Sequence, residues 1–337
     1  MNLDVLIPSL LLPAPMHSLS PPPLVPALER LLARADRQVV VTPAGASWLC
    51  ERWGIGAPYP IAPLLAEYDG IDVLNDGWMF AEPFHITPDR NLSLFPGRFL
   101  ELNTVESAEL VSALNSHFAD RYLRFFTQAP TIEVQRWYVR VLPTEIPATT
   151  PPDVARFGSL VDFLPRSAGT MDWRSLQNET QMLFFGHPVN EARETSGKPA
   201  VSGVWFWGGG VLPELRKPSY DHIVADSALP SLLAKKSGID LLPLSWQSVQ
   251  SSQGNVLVVI ESCSDLARDL DLRAWARELE RLDREWFLPL SQALAKGAIQ
   301  SLSIHVPGDE CTRSFHITRR SQLLRFWRAA KPLSTYA

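Results

Sequence analysis

Leu3–Ile7, a short and mostly apolar run stopped by Pro8, constrains the fold of this chain more than any other stretch. Such a run reads as a strand buried on both faces, and strands of that kind belong to sheets covered by helices on each side. Pro26 stands where a helix can start, and Ala27–Ala35 carries Leu28, Leu31 and Leu32 at helical spacing. Val39–Val41 reads as a second buried strand and Ala46–Trp53 as a helix stopped by Gly54. This strand-helix-strand-helix opening predicts a parallel sheet.

From about Asp72 the pattern changes. Trp78–Ile86, Leu92–Phe95, Tyr122–Thr127 and Arg136–Val141 read as strands separated by turn residues. One helix, Val105–Phe118, interrupts them, with Leu110, Val111, Leu114 and Phe118 on one face and Thr104 as its expected cap. Thr144–Thr170 is rich in Pro, Ser and Thr and reads as a surface linker. Helices and strands then alternate again. Asp172–Phe185 is helical, with Gly186 as its stop, and Pro188 opens a short helix that ends at Gly197. Strands follow at Val201–Trp207, His222–Ala225, Asn255–Ile260, Ser301–Val306 and Ser314–Thr318. Trp275, Leu279, Leu282 and Trp286 mark one face of a long helix that Pro289 is expected to kink, and Gln322–Ala329 reads as a final helix. The expectation is an α/β protein: a mostly parallel sheet flanked by helices, built from residues 1–71 and 150–337, with a small α+β unit inserted at 72–149.

At 46% hydrophobic and 20% charged residues, with net charge −5, the composition is that of an ordinary globular chain. No block of like charges stands out, so a nucleic-acid partner is not expected. No run of about 18 apolar residues occurs, so no membrane partner is expected either. The N-terminus has no basic region ahead of its apolar residues and reads as a strand rather than a signal peptide. Three scattered cysteines, Cys50, Cys263 and Cys311, fit free thiols and a cytoplasmic location.

The candidate site lies in His187–Gly210. His187, Asn190 and Arg193 are spaced by three, so one helix face carries all of them. A ring donor, an amide and a guanidinium converging there would suit a phosphate or carboxylate. Capping by His187 and Asn190, with Arg193 paired to a carboxylate, fits the same spacing. Gly208, Gly209 and Gly210 follow a strand and could offer an anion nest or simply make a tight turn. Trp205 and Trp207 alternate and share one sheet face, with Phe206 on the other. His305, Asp309, Glu310 and His316 form the only mixed His/acid cluster, and Asp265, Asp269 and Asp271 follow a strand end. Polar residues at a strand connection explain the first set, and a solvated loop with a helix N-terminus the second, more simply than a metal does.

The HPVN run at His187, then Arg193, Gly197 and the W-x-W-G-x-G run from Trp205 to Gly210, resemble a segment of the archaeal-type cofactor-independent phosphoglycerate mutases. The whole chain is similar to a proteobacterial family of RpfE-type regulatory proteins, including WFLPL (Trp286–Leu290) and LRFWR (Leu324–Arg328). The resemblance implies an alkaline-phosphatase-like fold with an inserted domain, and for the mutases two metals and a Ser nucleophile. Where the mutases place an Asp-Gly pair after the first strand, this chain has Pro8 and Ser9. Where they place an acid-rich segment ending in histidine, it has Glu261, Ser262, Cys263, Ser264 and Asp265. Where they end on Asp-His, it has Pro307 and Gly308. The expectation is therefore a regulatory or binding protein without metal or cofactor. It would grip a small phosphorylated or carboxylated ligand through His187, Asn190, Arg193 and the Gly208–Gly210 amides. Two alternatives stand beside it. One is an active phosphoglycerate mutase or phosphatase with ligands displaced to Glu261, Asp265, His305 and Asp309. The other is a structural partner protein in which the motif stabilises the core.

Overall fold

β1 (Asn2–Leu6) runs through the middle of a seven-stranded sheet, flanked by β10 (Asn255–Val259) and β11 (Ser301–Pro307). The computed structural model describes residues 1–11, 21–40, 45–73, 75–87, 93–96, 100, 102–128, 136–151, 163–165, 168–268, 271–308 and 311–336. The sheet order is β2 (Asp36–Val40), β12 (Thr312–Thr318), β11, β1, β10, β8 (His222–Val224) and β9 (Asp240–Leu242). Only β12 runs against the rest, because its pairings with β11 and β2 are both antiparallel and all other pairings are parallel. The expected mostly parallel sheet with flanking helices is what the chain forms.

Val5, Val256, Val258, Leu302 and Ile304 point into one continuous core with Leu28, Leu31 and Leu32 of the helix Pro26–Arg34. That core also takes Trp275, Leu279, Leu282 and Trp286, the stripe read from the sequence. The long helix is interrupted as Pro289 requires. Leu272–Leu282 passes through a π-helical turn, Asp283–Phe287, into Leu288–Lys296. Proline lacks an N–H and its ring crowds the preceding turn, and the wider turn accommodates both. Asp283 in this turn caps a distant helix. Its carboxylate accepts from the N–H groups of Ala27 (3.2 Å) and Leu28 (2.7 Å), where Val25 offers no side-chain cap.

β2 departs from expectation. It is an exposed edge strand, not a buried one, because among the described residues its only neighbour is β12; Val41 lies outside the described residues.

A second sheet holds β4 (Ser93–Pro96), β3 (Gly77–Thr87), β6 (Arg136–Val141) and β5 (Arg124–Gln128), with β7 (Gly203–Gly210) also paired to β3; Leu92 of the expected β4 falls outside the described residues. The pairing of β7 moves the unit boundary. The chain divides into Met1–Ile55 with Leu215–Ala337, and Gly56–Glu214, where 72–149 was expected to be the insertion. The helices Thr104–His117 and Trp173–Phe185 pack their Leu110, Leu114, Phe118, Trp173 and Leu176 into this unit's own core. Asn103 rather than Thr104 caps the first of them. Its side chain accepts from Val105 and Glu106 N–H, and Glu106 accepts from the Asn103 N–H in return. Of the expected linker, residues 152–162 and 166–167 fall outside the described set.

Candidate functional site

The sequence-predicted site is present as a folded cluster, but its polar groups are turned inward. His187 caps the helix Pro188–Thr195, its Nδ1 accepting from Val189 N–H at 3.2 Å. Asn190, buried, donates to the carbonyls of Phe184 (2.7 Å) and Val201 (2.9 Å) and accepts from Val201 N–H (2.8 Å). Arg193 is 1% exposed. Its Nε donates to the Pro199 carbonyl (2.9 Å), its Nη1 to Glu106 Oε1 (3.0 Å) and its Nη2 to the Leu100 carbonyl. An amide and a guanidinium committed in this way stitch the 196–202 connection to its surroundings. They do not face a ligand, which corrects the expected anion grip.

The glycines are likewise not a loop. Gly208, Gly209 and Gly210 are the last residues of β7, and the pairing with β3 shifts register between Trp78 and Phe80. Gly208 takes φ +65° at this bulge. A Cβ there would sit 3.0 Å from the Phe80 ring, one at Gly209 would sit 2.8 Å from Ile146 and Met79, and one at Gly210 would meet Pro60. The glycines admit neighbouring side chains rather than an anion. Trp205 and Trp207 do share a face: Trp205 packs edge-on against Phe84, and Trp207 Nε1 donates to Glu82 at 3.0 Å. Phe206 packs on the opposite side against Trp173.

A different site opens on the larger sheet, in the unit that holds β1. Along β11 and β12, Leu302, Ile304, Phe315 and Ile317 enter the core, so strand alternation turns Ser303, His305, Ser314 and His316 to the other face. Register places Asp4 beside Ser303, His305 beside Ser314, and His316 beside Asp36. Trp48, Glu51 and Arg52 of the helix Gly45–Arg52 complete the walls of a cavity of about 520 Å³, a size suited to a small ligand.

His305 is the centre of it. The residue is 6% exposed, its Nδ1 lies 2.8 Å from Ser314 Oγ, and its ring centroid lies 4.7 Å from that of Trp48. Its Nε2 is buried and faces Asp4 Oδ1 at 3.8 Å, beyond hydrogen-bond distance, with no nearer acceptor among the described residues. Asp4 accepts from the Tyr220 hydroxyl at 2.7 Å. Burial raises the Asp4 carboxyl, but His305, Tyr220 and Ser303 outweigh it and hold the group below its usual range. Burial, with the adjacent Asp4 charge, pushes the Tyr220 phenol up, so it donates. His316 Nδ1 lies 3.2 Å from Ser303 Oγ, and the Arg52 guanidinium stacks 4.6 Å from the Trp48 ring. Imidazoles, hydroxyls and a guanidinium around one cavity are donors that can bind an oxyanion.

The fit to a metal centre is poor among the described residues. Among the described residues no three His, Cys, Asp or Glu side chains stand close enough to hold an ion. Asp4 and His305 form only a pair, and burial pushes the Cys50 and Cys263 thiols up to about 12, which disfavours thiolate ligands. Asp265 sits in the helix Ser262–Arg268, and Asp271 caps the next helix by accepting from Ala274 N–H. Asp269, Asp309 and Glu310 lie outside the described residues. Sequence reading picked out His305 and His316 but missed Asp4, Ser314, Trp48 and Arg52. The alternation S-x-S-x-H followed by S-x-H was the available signal.

No family model matches this chain. Over 114 residues it is 24% identical to the probable 2,3-bisphosphoglycerate-independent phosphoglycerate mutase of Geobacter sulfurreducens, a stretch that is 34% of this chain and 28% of that protein. The match thus spans less than a third of the curated relative. The structure of PH0037 from Pyrococcus horikoshii superposes with a TM-score of 0.51 at 13% identity, covering 94% of this chain and 87% of that one. The cofactor-independent phosphoglycerate mutase from Thermoplasma acidophilum gives 0.42 at 15% identity, covering 94% and 90%. The PH0037 likeness establishes a shared fold, and the Geobacter match a weak local similarity to a phosphoglycerate mutase.

Proposed function

We propose that this is a phosphoglycerate-mutase-like protein with a binding or regulatory role, and that it takes a small phosphorylated or carboxylated ligand in the cavity over β11 and β12. The observation that carries this reading is His305. Its Nδ1 is held by Ser314 and its Nε2 faces the Asp4 carboxylate, which fixes the ring on the wall of the cavity. Arg37, Arg52 and His316 line the same cavity and supply further donors, while Asp36 is drawn off by Arg325 at 2.8 Å. The ligand site moves from Asn190 and Arg193 to this cavity because their donors are already used. A metal-dependent phosphoglycerate mutase or phosphatase is the second reading, and the Geobacter similarity favours it.

Titration calorimetry with 3-phosphoglycerate, once in EDTA and once with Mn²⁺, separates the two. Binding in EDTA that weakens about tenfold or more in Arg52→Ala is the expected result, since a charge-assisted contact is lost. Binding only with Mn²⁺, together with turnover to 2-phosphoglycerate, replaces this reading with the second. Absence of heat in both arms removes the phospho-ligand reading altogether.

A further inference from the structure

The segment from Arg319 to Lys331 reads RRSQLLRFWRAAK: five cations and no carboxylate in a chain of net charge −5. The cations alternate with apolar residues, so no charge block stands out in the sequence. The expected helix over Gln322–Ala329 is shorter and earlier, Arg319–Leu324, and a turn follows it. Thr318 caps the helix, Gln322 is buried, and the Arg325 guanidinium donates to Asp36 (2.8 Å) and to the Arg34 carbonyl (3.1 Å). Beyond the turn, Leu333 and Tyr336 are buried, with Tyr336 edge-on against Phe315. The segment is therefore pinned before, within and after the turn.

Yet its large apolar side chains face outward. Leu323 and Leu324 are each 53% exposed, Phe326 is 73% and Trp327 is 68%, with the last two rings edge-on at 5.8 Å. Arg320, Arg328 and Lys331 are exposed around them. Apolar groups held out by a fixed backbone mark an interaction surface. The mixture selects the partner. Arginine and lysine attract an anionic surface, tryptophan and phenylalanine settle at the boundary between headgroups and acyl chains, and leucines enter the acyl layer. Nucleic acid would use the cations and the rings but gains nothing from the leucines.

We infer that Arg319–Lys331 docks the protein on the surface of an anionic lipid bilayer. This is a peripheral contact: among the described residues no helix is long and apolar enough to cross a membrane. The expectation of no membrane partner rested on the absence of a spanning segment, and a surface contact of this kind is a proposal beyond it.

Flotation of the full chain with vesicles of phosphatidylcholine alone, or of phosphatidylcholine mixed with phosphatidylglycerol, tests it. Partitioning should be at least about tenfold stronger on the anionic vesicles and weaken with salt. Phe326→Ser with Trp327→Ser, and separately Arg320→Glu with Arg328→Glu, should each abolish the preference. All four side chains are exposed, so circular dichroism and Tm should not change. Equal partitioning on both vesicles, no partitioning, or partitioning that survives both double variants overturns the proposal. So does a dimer in gel filtration that Phe326→Ser with Trp327→Ser dissociates, because a second copy then covers the patch. Tighter binding to a single-stranded oligonucleotide than to the anionic vesicles also overturns it.

Discussion

Arg193 and Glu106 lie 87 positions apart in the chain and 3.0 Å apart in the fold, and each also performs a second task. Glu106 Oε2 accepts from Asn103 N–H and completes a capping box, while Arg193 also holds the carbonyls of Pro199 and Leu100. One ion pair thus ties the start of the helix Thr104–His117 to the connection entering β7. Removing the arginine leaves one Glu106 oxygen and two carbonyls without their donor. Arg193→Ala is expected to lower stability by about 3–5 kcal/mol, the cost of breaking a buried pair. Arg193→Lys should recover only part of it, because an ammonium cannot reproduce the planar fork. Urea denaturation measures both; a loss under about 1 kcal/mol for Arg193→Ala would show that the pair is not holding the unit together.

Gly208 permits the bulge that seats β7 against β3. Gly208→Ala places a methyl group in a left-handed conformation and against the Phe80 ring. The expected loss is about 1–3 kcal/mol. An unchanged Tm would mean that this backbone adapts without cost.

These two residues also show what was legible in the sequence. Strands and helices announced themselves, because their periodicity is local: Leu28, Leu31 and Leu32 needed no distant partner to be read as a buried face. Spacing put Asn190 and Arg193 on one helix but could not say what they touch. The deciding partners, Glu106 and Leu100, lie 87 and 93 positions away. The boundary near 55 and 215 was hidden for the same reason, since a strand's sequence does not name the sheet it joins. Asp4 looked like an interruption in an apolar run until Tyr220 and His305 were placed beside it.

Gln177 is fully buried on the helix Trp173–Phe185, and neither atom of its side-chain amide has a hydrogen-bond partner among the described residues. An unmet polar group of this kind costs about 1–3 kcal/mol. Gln177→Met, close in shape and without that cost, is expected to raise the midpoint of thermal unfolding. A fall would mean that the amide is satisfied in solution.

Asp4 sets an acid limb. Its carboxyl is held below the usual range in the folded chain, so the folded state favours the ionised form. The stability this contributes is present above the ordinary carboxylate pKa of about 3.9 and is lost as pH falls through the lower folded value. Between about pH 5 and pH 3, Asp4→Asn should therefore lose less stability than the parent protein. Parallel acid limbs for the two proteins would remove Asp4 from this account.

The central position of β1 has a consequence for how the chain folds. Its hydrogen-bonding neighbours arrive late: Asn2 meets Asn255, 253 positions on, and Ser301, 299 positions on. The strands of the other sheet all fall within Gly56–Glu214 and can pair without either end of the sequence. Contacts closing such long loops form slowly. During synthesis, Leu3–Ile7 is therefore an apolar strand with both edges open until the strands at 255 and 301 have been made. In that interval its unpaired edges are open to association with another chain.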